Sequence, residues 1–119
     1  MINLVYDITG CRNANLSPTD LAAAMRQTVA QLGCTIVGEL PVQFQPHGVT
    51  MAVVLAESHL TVSTYPEHRH AYIDLFTCRA DTDPDNAVDP ILTALGGDVV
   101  HRQRIDRTVP GTTTATAPV

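Results

Sequence analysis

The sequence has no tryptophan, few aromatic residues of any kind, and only seven basic side chains among its 119 residues. Its formal charge is −5. A nucleic-acid module or a protein that rides on an acidic membrane normally carries a basic patch, and none is visible. No apolar run approaches the roughly 18 residues that a spanning helix needs. The N-terminus lacks the basic-then-apolar order of a secretory signal. Cysteine is scarce too: Cys11, Cys34 and Cys78 are an odd, widely spaced set. They lack the paired C-x-x-C spacing of a zinc site and do not form a disulfide framework. A reduced, cytoplasmic chain without nucleic-acid or membrane partners is the expectation.

What is present suffices for one domain. Leu, Ile, Val and Phe make up about a quarter of the chain, above the range of disordered sequences. Residues 1–107 read as that domain, and the Thr-, Ala- and Pro-rich stretch 108–119 as a flexible tail. Ile2 to Asp7 is a strand candidate. Ser17-Pro18-Thr19-Asp20 reads as a capped helix start, and Leu21, Met25, Val29 and Leu32 form one helical face up to Gly33. Thr35 to Phe44 reads as a strand broken or edged by Pro41. Val49 to Ala56 is a nearly unbroken apolar run, as in a central strand. His59 to Tyr65 and His70 to Cys78 alternate apolar and polar residues around a turn at Pro66 to Arg69. A second helix follows Asp83-Pro84, either kinked at Pro90 or regular only from Asp89. Val99 to Ile105 closes the series. The order β-α-β-β-β-β-α-β predicts an α+β two-layer sandwich, a mostly antiparallel sheet with two helices on one face.

If the two alternating segments pair with Tyr65 opposite His70, then Ser58 faces Thr77 and Glu57 faces Cys78. Directly opposed side chains stand about 5 Å apart, so a hydroxyl, a thiol and a carboxylate converge at one hairpin end. Taken alone, a strand Ser and a single Cys are ordinary residues. A Ser58-His59-Asp74 triad is rejected, because neighbouring strand residues point to opposite faces and no nucleophile elbow is present. His68 and His70 on a turn are too few to argue a metal.

The spacing carries more. Glu57-Ser58-His59-Leu60-Thr61, Thr64-Tyr65-Pro66-Glu67 and Ile73-Asp74-Leu75-Phe76-Thr77-Cys78, with Phe44-x-Pro46-His47-Gly48-Val49 upstream, resemble the prokaryotic S-adenosylmethionine decarboxylase family. The resemblance implies a proenzyme that breaks its own chain between Glu57 and Ser58, giving fragments 1–57 and 58–119. Ser58 becomes a pyruvoyl group, which forms a Schiff base with the substrate amine and acts as the electron sink for CO2 loss. The residue matching Cys78 supplies the replacing proton. No metal and no pyridoxal phosphate are implied. Phe44 matches an aromatic set against adenine, Glu67 an acid near the ribose hydroxyls, and Tyr65 a position where the family more often has Trp. The product is the aminopropyl donor of spermidine synthesis. The resemblance also implies a homodimer with sites at or near the subunit interface.

One departure matters. The family's histidine that helps self-processing falls at Ser63, whose hydroxyl is a very poor base. His59 and His47 are the substitute candidates. Two rival readings stand beside the main one: a pyruvoyl-dependent arginine or ornithine decarboxylase of the same descent, and an unprocessed, non-catalytic homologue.

Overall fold

A computed structural model describes residues 1–78 and 84–111. Most of the expected tail, from 112 onward, and the Asp83 helix start lie outside the described residues. Strand β1 (Ile2–Thr9) buries Ile2, Leu4, Tyr6 and Ile8 and leaves the residues between them half-buried. That is the period-two pattern of a strand covered on one face. Helix α1 (Pro18–Leu32) begins where the sequence places it: Ser17 Oγ accepts the Asp20 N–H at 3.1 Å. It ends at Gly33 with φ 70°, and its Leu21, Met25, Val29 and Leu32 are buried.

Strands β2 (Ile36–Gln43), β3 (Val49–Leu55), β4 (Ser58–Tyr65) and β5 (His70–Thr77) come next. After them run the short helices α2 (Pro84–Ala87) and α3 (Asp89–Leu95), then β6 (Asp98–Asp106). One sheet in the order β2-β3-β4-β5-β1-β6 results, antiparallel throughout. The α+β sandwich is as predicted. Pro41 sits within β2, an edge strand, where a missing N–H is tolerated. Pro90 falls in the first turn of α3, where its absent N–H has no helical bond to lose. The second helix of the sequence reading is thus two short segments, with the regular one starting at Asp89. Gly97 lets α3 turn into β6: a Cβ there would stand 2.8 Å from Cys11 Sγ, Ile8 Cγ2 and the Thr9 carbonyl oxygen.

The helices pack together over one face of the sheet. Val49, Met51, Val53 and Leu55 of β3, Leu60 and Val62 of β4, and Ile73 and Leu75 of β5 point into that core. The other face carries Leu40, Val42, Val54, Tyr65 and Tyr72, all exposed. It has no covering layer among the described residues.

Candidate active site

Strands β3 and β4 are joined by only Ala56 and Glu57, since Leu55 and Ser58 are opposed partners. So tight a hairpin requires a left-handed backbone, and here a glutamate adopts it: Glu57 has φ 65°. A non-glycine residue in that region carries on the order of 1 kcal/mol of strain. The turn is pinned by the Ala56 N–H, which bonds the Thr35 carbonyl at 3.0 Å. Immediately after it Ser58 turns inward. Its Oγ is buried and has no hydrogen-bond partner. A buried hydroxyl without a partner is costly, and its persistence calls for an explanation.

The β4–β5 register is the one the turn predicts, with Tyr65 opposite His70 and His59 opposite Phe76. It carries Cys78 to the Glu57 side. Cys78 Sγ lies 3.9 Å from the Glu57 carbonyl oxygen, within reach of a weak S–H donor, and 2.9 Å from Met1 Sδ. Burial pushes the Cys78 thiol pKa up, and the Glu57 carboxylate pushes it the same way. Both effects keep the sulfur protonated. At this hairpin end a neutral thiol stands against the Glu57 carbonyl, and the next residue, Ser58, carries the partnerless hydroxyl.

The other end of β4 forms a cleft of about 280 Å³, lined by Phe44, His47, Gly48, Thr50, Thr64, Tyr65 and Glu67. Phe44 and Tyr65 are 49 % and 45 % exposed, large apolar surfaces left open. Gly48, at φ 101°, comes so close to Thr64 that a Cβ would lie 3.1 Å from its carbonyl oxygen. Thr64 Oγ1 accepts the Val49 N–H at 3.0 Å, tying the cleft floor to β4. His47 Nε2 and Glu67 Oε2 are 2.8 Å apart. Sequence reasoning grouped Phe44, Tyr65 and Glu67 but missed this pairing. The antiparallel register held the signal: Thr50 opposite Ser63 brings the turn before β3 beside the turn after β4.

The remaining candidates divide between faces. Ser58 points into the core, whereas Ser63 lies on the open face and bonds Thr50 Oγ1 at 2.9 Å. Five residues of strand separate the two, about 17 Å, so Ser63 does not meet the Glu57–Ser58 bond of its own chain. His59 is on the open face as well, stacked on Phe76 with ring centroids 5.5 Å apart. The Arg107 guanidinium sits 5.3 Å from the same Phe76 ring. Asp74 bonds Asn3 at 2.6 Å, and no three His, Cys, Asp or Glu side chains converge as metal ligands among the described residues.

Comparison with known proteins identifies the family. The model of the S-adenosylmethionine decarboxylase family matches residues 2–108. An S-adenosylmethionine decarboxylase proenzyme of Symbiobacterium thermophilum is 48 % identical over 87 residues, 73 % of this chain and 66 % of that protein. One of Acidithiobacillus ferrooxidans is 35 % identical over 105 residues, 87 % of this chain and 79 % of that protein. The crystal structure of the adenosylmethionine decarboxylase from Aquifex aeolicus superposes with a TM-score of 0.80 at 28 % identity, covering 94 % of each chain. The fold, the hairpin bearing Ser58 and Cys78, and these likenesses together place the chain in the S-adenosylmethionine decarboxylase family, whose members are pyruvoyl-dependent carboxy-lyases.

Proposed function

We propose that this protein decarboxylates S-adenosylmethionine, supplying the aminopropyl donor for spermidine synthesis, after cutting its own chain between Glu57 and Ser58. The observation that carries the reading is the Ser58 hydroxyl, buried and bonded to nothing beside a carbonyl whose residue is held at positive φ. Its lone pairs are free to attack the Glu57 carbonyl carbon. The Cys78 thiol, 3.9 Å from the Glu57 oxygen, can support charge gathering there. These residues fit the pyruvoyl group that such a cut generates from Ser58. Once formed, that group supplies a ketone as electron sink for CO2 loss. Cys78 Sγ, kept neutral by burial, holds the proton that replaces the carboxylate. The chain contains no lysine, the residue that anchors pyridoxal phosphate in other decarboxylases.

The cleft suits the nucleoside half of the substrate. Two open aromatic faces suit adenine and the sulfonium charge, and Glu67 is an acceptor for ribose hydroxyls. This equipment favours S-adenosylmethionine over arginine or ornithine, which need neither. Ser58 and Tyr65 are the two ends of one strand, about 23 Å apart, too far for one small substrate to reach both. A homodimer resolves this, with the open sheet faces covering each other and each cleft completed by the partner's Ser58 end. The exposed Leu40, Val42, Val54 and Tyr72 then become interface residues. In that assembly the processing base is His47, from the cleft half, or His59, next to the cut; Ser63 and Thr50 orient a partner or a water. Reliance on a free thiol suits a reducing, cytoplasmic setting.

An intact mass spectrum tests the reading. Fragments 1–57 and 58–119, the second lacking the Ser58 amine, are expected, with CO2 release from S-adenosylmethionine. A single uncut chain would favour the non-catalytic reading. CO2 release from arginine or ornithine alone would favour the altered-substrate one.

A further inference from the structure

The His47–Glu67 pair has a geometry that stability does not explain. The two side chains are 32 % and 45 % exposed, and a pair so open to water contributes little to folding. Yet both backbones are held firmly. His47 sits in a turn closed by the Phe44 N–H on the Gly48 carbonyl at 2.8 Å. Glu67 sits in a single helical turn, Pro66–His68, closed by the Arg69 N–H on the Pro66 carbonyl at 3.0 Å. Two short, rigid turns at neighbouring strand ends thus aim an imidazole at one oxygen of a carboxylate.

A free glutamate spins about its last bonds and presents its oxygens in many directions. An imidazole N–H on Oε2 removes that freedom and leaves Oε1 without a hydrogen bond from the described residues. Phe44 and Tyr65 flank the same cleft. A ring stacked there carries its sugar at a fixed offset, so an acceptor of fixed orientation is worth more than a mobile one. Charge-assisted bonds to a carboxylate are roughly twice as strong as neutral ones, but only with good alignment.

We propose that His47 is a positioning residue: it locks the Glu67 carboxylate so that Oε1 meets the vicinal hydroxyls of the substrate's ribose. The pair thereby sets the preference for a nucleoside-bearing amino acid over a plain basic one. This rests on the cleft being the nucleoside site, as proposed above.

The test compares two ligands, 5′-methylthioadenosine and its 2′,3′-dideoxy counterpart, by calorimetry on the processed enzyme. A variant that does not cleave is compared in the Ser58→Ala chain, since the cleft precedes the cut. The unchanged protein should favour the diol by about 10-fold or more. His47→Ala should cut that ratio about 3–10-fold and raise KM for S-adenosylmethionine by a similar factor. His47→Gln, whose amide can still donate to Glu67, should keep most of the preference. A merely structural His47 would weaken both ligands equally and leave the ratio intact, which overturns the proposal. Loss of the preference in Glu67→Gln but not in His47→Ala overturns it too, while sparing the cleft. If Glu67→Ala also leaves the preference untouched, the cleft reading itself fails.

Discussion

At one end strand β4 hides a hydroxyl that bonds to nothing, beside a thiol that burial keeps neutral. At the other it opens onto two exposed aromatic rings and a carboxylate steadied by an imidazole. The same eight residues serve both ends, and the difference lies in which side of the sheet each faces. Ser58 and Cys78 lie where water is excluded and a weak nucleophile meets no competing donor. Phe44, Tyr65 and Glu67 lie where a large substrate can approach. In the proposed function, reactivity belongs to the buried end and recognition to the open one. Because the strand is rigid, the two cannot fold toward each other within one chain.

The comparison can be broken most completely at the buried end. Ser58→Ala should leave one uncut chain with no decarboxylation, read by intact mass and CO2 release. Cys78→Ala should still yield both fragments, because cutting does not need the later proton, while turnover falls about 10²-fold or more. The pH dependence checks the role of Cys78 further. The neutral thiol is the working form and its pKa is raised, so activity should persist as pH rises past the usual thiol value of about 8.5. Activity should be lost only above that, as the sulfur ionises. An alkaline loss starting well below that value would contradict the role. A sharper test mixes the two ends. Ser58→Ala chains, inactive alone, and Phe44→Ala chains, weak alone, should regain activity when co-expressed, since a mixed dimer holds one site with both halves intact. Failure to complement in a proven mixed dimer would refute shared sites.

Smaller effects are expected at the open end. Tyr65→Ala should raise KM about 10-fold and leave the fragment masses unchanged, since cutting does not use the cleft's aromatics. Ser63→His should match or modestly accelerate cutting, followed as fragment yield over time after synthesis. Abolished cutting in that folded variant would mean a rebuilt processing geometry. Least of all, Arg26→Ala removes a partly exposed ion pair with Glu39 that belongs to neither end of β4. It should change neither cutting nor turnover, and the melting temperature barely.

Much of this was legible because local chemistry and long-range pattern agreed. The four residues from Pro66 to Arg69 determine how far β4 and β5 slide, and with that the meeting of Cys78 and Glu57 follows. Pro18 and Gly33 mark the ends of α1 because few other positions suit them. Less visible was Pro90: a proline inside an apolar period fits a kink or a fresh start, and only the packing of Ile91 and Leu95 into the core decides for the start. The His47–Glu67 contact has no local signature, because it joins two turns that are 20 residues apart. Alternation along β4 already separates Ser58 from Ser63, which shares a face with His59 and Thr61. Nothing local marks β6 as exposed along its whole length; that depends on how far the helices extend over the sheet.

The strand order has a consequence for the molecule cut as proposed, between Glu57 and Ser58. Fragment 1–57 contributes β1, β2 and β3, and fragment 58–119 contributes β4, β5 and β6. Across the sheet they alternate, because β1 of the first fragment lies between β5 and β6 of the second. Three hydrogen-bonded ladders, β3–β4, β5–β1 and β1–β6, therefore stitch the fragments together. Neither piece can leave without taking the sheet apart, so dissociation and unfolding become one event. Once denatured, the nicked protein is two chains that must find each other. Its refolding should then depend on concentration where that of the Ser58→Ala chain, at the level of the single protomer, does not.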